Sequence, residues 1–168
     1  MKKTIQSCAE CGKPVASEDL VIIDNKPFCP RCIYGEITPF KIYPIGKVRD
    51  KLKRNEKDFF RSGNNIISCI DLFPSQKRFM YRLEEEKFLT IVYLLHETTS
   101  VKSVFKRGLD GKEVGVFASR SPYRLSKIGI QDVTLIKIEG TTLYVEGLDA
   151  INGSPILDIK MKRDPLNA

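Results

Sequence analysis

The sequence predicts a mostly β protein, with a small cysteine-rich module leading into a barrel or sandwich of short strands. Three observations carry that prediction. Two Cys-x-x-Cys pairs fall within residues 1–36, seven short apolar or alternating segments follow them, and a single stretch has helical character. The 168 residues leave room for such a module beside a domain of about 130 residues. An apolar share of 42%, with nine Phe and six Tyr, supports a real core despite the absence of Trp.

The module comes first. Cys8-Ala9-Glu10-Cys11-Gly12 and Cys29-Pro30-Arg31-Cys32 are separated by seventeen residues, within the usual range for a four-cysteine zinc site. A Cys-x-x-Cys turn points both sulfurs inward, and two such turns complete a tetrahedron around Zn²⁺. Gly12 permits the tight backbone after the first pair. Between the pairs, Leu20-Val21-Ile22-Ile23, Asp24-Asn25 and Lys26-Pro27-Phe28 read as a β-hairpin carrying the second pair. Disulfides fit poorly with a cytosolic chain, and a redox pair needs no second copy at this spacing. Four sulfurs leave no open coordination position, so the zinc is expected to be structural. Cys69, inside Ile66-Ile67-Ser68-Cys69-Ile70, is expected to be a buried small residue rather than a nucleophile.

A boundary falls at Gly35-Glu36-Ile37-Thr38-Pro39, separating a zinc-ribbon-like module over 1–36 from a domain over 40–162. The expected strands are Lys41–Val48, Asn65–Phe73, Phe88–Leu95, Val114–Ala118, Ile130–Ile138, Thr142–Glu146 and Ile156–Lys160. Alternation is clear in Val133-Thr134-Leu135-Ile136-Lys137-Ile138. The helical candidate is Pro74–Lys87, with Phe79, Met80 and Leu83 on one face and Glu84, Glu85 and Glu86 toward solvent. The pattern contains no phosphate-binding glycine loop and no alternation of helices with parallel strands, which argues against a doubly wound nucleotide fold.

Charge is unevenly spread. The net charge is +7; residues 41–62 carry eight Lys/Arg against three Asp/Glu, and residues 100–127 seven against two. These windows read either as solvated loops or as one basic face for a polyanion such as nucleic acid. The interleaved Phe59, Phe60 and Tyr123 suit stacking on unpaired bases. Residues 1–36 balance five cations against five anions, and four thiolates around Zn²⁺ would leave that site doubly negative. Contact with a protein partner, or simple stabilisation, suits the module better than a grip on RNA. No apolar run reaches the roughly 18 to 20 residues of a membrane span, and the basic start lacks an apolar core. The expectation is a soluble cytoplasmic protein.

Two longer segments carry a family pattern. The first is Gly115-Val116-Phe117-Ala118-Ser119-Arg120-Ser121-Pro122-Tyr123-Arg124-Leu125-Ser126-Lys127-Ile128-Gly129. The second runs from Leu143-Tyr144-Val145-Glu146-Gly147-Leu148-Asp149 through Asn152-Gly153-Ser154-Pro155 to Lys160. Together they resemble the TrmO family, also called TsaA-like or YaeB-like, whose patterns are G-x-F-A-T-R-S-P-x-R-P-N-P-I-G and L-D-x-x-D-G-T-P-V-L-D-I-K-P-Y. Lesser matches are Ile45-Gly46-Lys47-Val48 and the strand ending in Leu95-His96. The resemblance covers about residues 40–162 and leaves the cysteine module outside.

The resemblance implies a single β-barrel that binds S-adenosylmethionine near a homodimer interface and methylates N6 of threonylcarbamoyl-adenosine beside the tRNA anticodon. It places cofactor contacts at His96, Glu97, Arg120, Ile130, Gly147, Leu148 and Asp149. Arg120 would hold the methionyl carboxylate by a forked ion pair, Asp149 a ribose hydroxyl or the ammonium, and Ile130 and Leu148 would flank adenine. Lys53, Arg54, Arg124 and Lys127 are the expected RNA contacts, with Lys47, Arg49, Lys51 and Arg61 on the same face. No residue is assigned as the catalytic proton acceptor. The chain departs from the pattern at Leu125, Ser126 and Lys127, where two family prolines and an asparagine are missing, and at Asn152. An alternative reading is a divergent relative that binds cofactor or RNA with other or no activity, its zinc module docking a protein partner. A zinc-containing nucleic-acid binder without cofactor is a third.

Overall fold

The computed structural model describes residues 4–49 and 67–163. Lys51, Lys53, Arg54, Phe59, Phe60 and Arg61 therefore lie outside the described residues. In chain order the strands are β1 (Ile5–Ser7), β2 (Pro14–Ala16), β3 (Val21–Ile23), β4 (Lys26–Phe28), β5 (Gly46–Arg49) and β6 (Ile67–Leu72). Then follow β7 (Phe88–Leu94), β8 (Val104–Lys106), β9 (Glu113–Gly115), β10 (Ile128–Glu139), β11 (Thr142–Glu146) and β12 (Pro155–Met161). They fall into two compact units, one joining residues 1–41 to 97–126, the other joining 42–96 to 127–168.

The first unit is built from three small hairpins, β1–β2, β3–β4 and β8–β9. The expected hairpin between the cysteine pairs forms as β3 and β4, turning on Asp24 (φ 49°) and Asn25 (φ 63°). Two successive left-handed residues make the primed turn that matches strand twist, and Asp and Asn tolerate it better than most. One helical turn, α1 (Pro30–Tyr34), starts with proline at its first position and stops at Gly35 (φ 71°).

The second unit is a closed barrel in the order β10-β11-β6-β5-β12-β7, every neighbour antiparallel and β7 returning to β10. Period-two patterning builds it. Leu89, Ile91 and Tyr93 of β7 are buried in alternation, as are Ser68, Ile70 and Leu72 of β6 and Leu143 and Val145 of β11. With Val48, Val133, Leu148 and Ile156 these side chains fill the barrel. Each fully buried aliphatic contributes about 1.5–3 kcal/mol relative to exposure. A Cβ on Gly46 would lie 2.5 Å from the Asp71 carbonyl oxygen, so β5 can approach β6 this closely only with glycine there.

Several sequence expectations change. Pro74–Lys87 is not one helix but two short 3₁₀ segments, Pro74–Phe79 and Leu83–Glu85, separated by Arg82 in a left-handed conformation (φ 60°). Met80 is buried, whereas Phe79 is 74% exposed, so the expected apolar face is divided. Val114–Ala118 is strand only to Gly115 and then a 3₁₀ turn. A register shift between Leu135 and Lys137 breaks the alternation in β10, leaving Ile136 exposed and bringing Leu135 and Ile138 against the core. Cys69 lies half-buried on the outward-facing set of β6, between inward Ser68 and Ile70, and is not a core residue. Among the described residues no helix is long and apolar enough to cross a membrane.

Candidate functional site

The Gly115–Ser126 motif forms a loop fastened from several sides. Val116 N donates to Ser103 O at 3.0 Å, and Lys102 N to Tyr123 O at 3.2 Å. Ser119 Oγ donates to Val116 O and accepts from Ser121 N, and Ser121 Oγ accepts from Tyr123 N, so two serines fix successive turns of backbone. The Tyr123 ring meets Phe105 edge-on at 5.7 Å and lies under Lys102 Nζ at 4.4 Å. Arg107, paired with Asp110, reaches Ala118 O, and Arg124 donates to Ser119 O and Val116 O. Arg120 is exposed, and no described residue pairs with its guanidinium. The loop's own Arg124, and Arg107 between β8 and β9, are thus spent on the loop's carbonyls, and Arg120 is presented.

In the barrel, the Gly147–Asp149 segment is held by its own pattern. Gly147 (φ 89°) turns the chain out of β11, Leu148 and Ala150 plug the core, and Asp149 is exposed between them. The buried Tyr93 hydroxyl donates to Asp149 O at 2.7 Å. Burial first, and the Asp149 charge second, push this phenol well above its ordinary range, so it stays a hydrogen-bond donor at any working pH. The ring rests on Gly129, where a Cβ would lie 2.5 Å from it. His96 is exposed at the end of β7; its Nδ1 lies 3.3 Å from buried Ser154 Oγ, and Gly153 (φ 84°) brings the backbone beneath its ring.

The four cysteine sulfurs lie within 4.8 Å of one another, with Cys11 Sγ 3.9 Å from Cys29 Sγ. A zinc tetrahedron with bonds of about 2.3 Å has edges of about 3.8 Å, so the donor set fits that ion. Cys29 N donates to Cys8 Sγ at 3.3 Å. Backbone N–H groups of Cys11 and Cys29 bring the Cys8 thiol down to about 6, while hydrogen bonding with Cys29 and then Cys11 pushes Cys32 well up. Protein alone thus stabilises a thiolate at Cys8; a bound dication supplies what four thiolates need.

The sequence-predicted residues fare differently. His96, Glu97, Arg120 and Asp149 are exposed, and Ile130 is 56% exposed on β10. Leu148 is 1% exposed, its side chain packed in the barrel core rather than on the surface. Among the expected RNA contacts, Arg124 is half-buried on the loop's carbonyls, and Arg49 is tied to Asp71 by two hydrogen bonds of 2.6 and 3.0 Å. Lys127 is half-buried with φ 51°, its carbonyl accepting from Leu95 N. A proline cannot adopt that angle. The missing family proline is therefore a change of local backbone here, beyond a loss of stiffness. Sequence reasoning missed Tyr93, whose hydroxyl in a largely apolar strand was the available signal, and read Asp24 only as a turn residue, with no signal for its contact to Ser103.

Comparison with known proteins places these features. The family model described as the tRNA-methyltransferase O N-terminal domain matches residues 60–162, beginning after the cysteine module. An S-adenosyl-L-methionine-binding protein of Archaeoglobus fulgidus is 31% identical over 119 residues, 70% of this chain and 85% of that protein. The tRNA (adenine(37)-N6)-methyltransferase of Mus musculus is 34% identical over 93 residues, 54% of this chain and 22% of that protein, so the chain spans about a fifth of its length. A crystal structure of TrmO from Pseudomonas aeruginosa superposes with a TM-score of 0.60 at 23% identity, covering 78% of this chain and 59% of that one; it shows the fold.

Proposed function

The chain belongs to the tRNA-methyltransferase O N-terminal domain family, and from that premise we propose that it is an S-adenosylmethionine-dependent methyltransferase acting on tRNA. The substrate we assign is N6 of threonylcarbamoyl-adenosine beside the anticodon. The observation that carries this reading is the fastened motif loop, which presents Arg120 without a described partner while Arg107 and Arg124 are committed.

The residues suit the roles proposed for them. Arg120 offers a planar fork for a carboxylate, worth more than a neutral hydrogen bond. Asp149 is an exposed acceptor whose backbone is fixed by Tyr93, so it is presented in one place. Ile130 adds exposed apolar surface, Gly147 and Leu148 backbone groups, and His96 and Glu97 polar groups at the end of β7. The cofactor supplies an already activated methyl group, so the protein's task is chiefly to hold nucleophile and methyl carbon in line. Lys127, with Lys53 and Arg54 outside the described residues, is proposed to meet RNA phosphates, giving an affinity that falls steeply with salt. The cysteine module is read as a structural zinc site, and the protein as a cytoplasmic homodimer.

Unmodified and threonylcarbamoylated tRNA, incubated with the protein and S-adenosylmethionine and then digested for nucleoside mass spectrometry, test the assignment. The expected product is the N6-methylated threonylcarbamoyl nucleoside, from the modified tRNA alone. Cofactor binding without a methylated product would favour the divergent reading, to which the left-handed Lys127 points.

A further inference from the structure

The cysteine module is bonded to residues 101–103, which in turn hold the motif loop. Its β3–β4 hairpin leads directly into Cys29, and Ala9 N donates to Pro27 O at 2.7 Å, so the hairpin hangs on the cluster. At the hairpin tip Ile23 bridges Val101 in parallel, and Asp24 N donates to Val101 O at 3.1 Å. The Asp24 carboxylate accepts from Ser103 N at 3.1 and 3.2 Å and from Ser103 Oγ. Ser103 in turn accepts Val116 N, the first residue of the turn that leads to Arg120, and neighbouring Lys102 holds Tyr123. An unbroken series of hydrogen bonds thus runs from the cluster to the loop.

We propose that Asp24 is a positioning residue, and that metal loading of the four-cysteine cluster orders the loop carrying Arg120 and so sets cofactor affinity. This rests on the reading of Arg120 given above. The physical basis is preorganisation: a loop already fixed loses less freedom when a ligand binds. Each exposed hydrogen bond is weak alone, but four converge on two residues of one segment, Val101 and Ser103, and act together. The left-handed turn makes Asp24 suited to the task, since the same backbone that closes the hairpin aims its carboxylate at Ser103.

The test substitutes Asp24→Gly, because alanine would be strained at φ 49° and glycine is not. The full chain, with and without chelator treatment, is measured for S-adenosylmethionine affinity by calorimetry and for hydrogen exchange at residues 101–106. Asp24→Gly should weaken cofactor binding about five- to tenfold and speed exchange there, without lowering the barrel's melting temperature. Asp24→Asn, which keeps an acceptor and tolerates the turn, should restore much of both, and Ser103→Ala should reproduce part of the loss. Metal removal should mimic Asp24→Gly. Unchanged affinity and exchange in Asp24→Gly and in the chelated protein would overturn the proposal. If the wild-type chain binds no S-adenosylmethionine, the functional reading falls, and exchange at 101–106 alone decides whether the clamp exists.

Discussion

Tyr93 and Gly129 act as one device, because the glycine's missing side chain is the seat of the tyrosine ring. Gly129→Ala should displace that ring and destabilise the protein by about 1–3 kcal/mol, as overpacking does. Tyr93→Phe keeps the packing but leaves the Asp149 carbonyl without its donor, which should cost about 1 kcal/mol. Denaturant melts of the two variants distinguish the contributions; equal, negligible losses would mean that the ring is not seated as described. Lys127 gives a second test at this scale. With φ 51°, Lys127→Gly should be neutral or stabilising, whereas Lys127→Pro, although it restores the family residue, should destabilise by more than about 1 kcal/mol. A stabilising proline would show that the loop takes the family's backbone instead.

Among the elements, the pairing of β5 with β6 carries a pH-dependent component. The Arg49 guanidinium, with help from Thr142, holds the Asp71 carboxyl below its ordinary range. A carboxylate whose folded value is depressed contributes stability that is fully present above the unfolded value and lost as pH falls through the folded one. Acidification below about pH 4 should therefore destabilise wild type more than Asp71→Asn; parallel acid profiles would remove the pair from the account. Strand content was legible because inward residues recur with period two, as in β7 and β11. What was not legible has physical causes. Pro74–Lys87 has helical spacing, but Arg82 in a left-handed conformation interrupts the path, and no local pattern announces that. Cys69 was expected inside because its neighbours are apolar; the pleat places Ser68 inward instead. The cysteine cluster was read correctly as a group of four from spacing alone, whereas its connection to residues 101–103 spans 79 positions between Asp24 and Ser103 and leaves no trace in sequence.

At the scale of the whole molecule, one unit is a barrel with a tyrosine-supported Asp149 segment, and the other links its cysteine module to its motif loop through Asp24 and Ser103. Arg120 is the residue on which the functional reading turns, because its neighbours Arg107 and Arg124 are occupied in holding the loop. Lys127 is the natural control: also cationic and close in sequence, but assigned to RNA rather than cofactor. Calorimetric titration of S-adenosylmethionine into the wild-type chain, Arg120→Ala and Lys127→Ala tests this most directly. The account predicts one cofactor per chain, a loss of about one to two decades in affinity for Arg120→Ala, and little change for Lys127→Ala. Absence of binding to the wild type, or equal losses in the two variants, would contradict it.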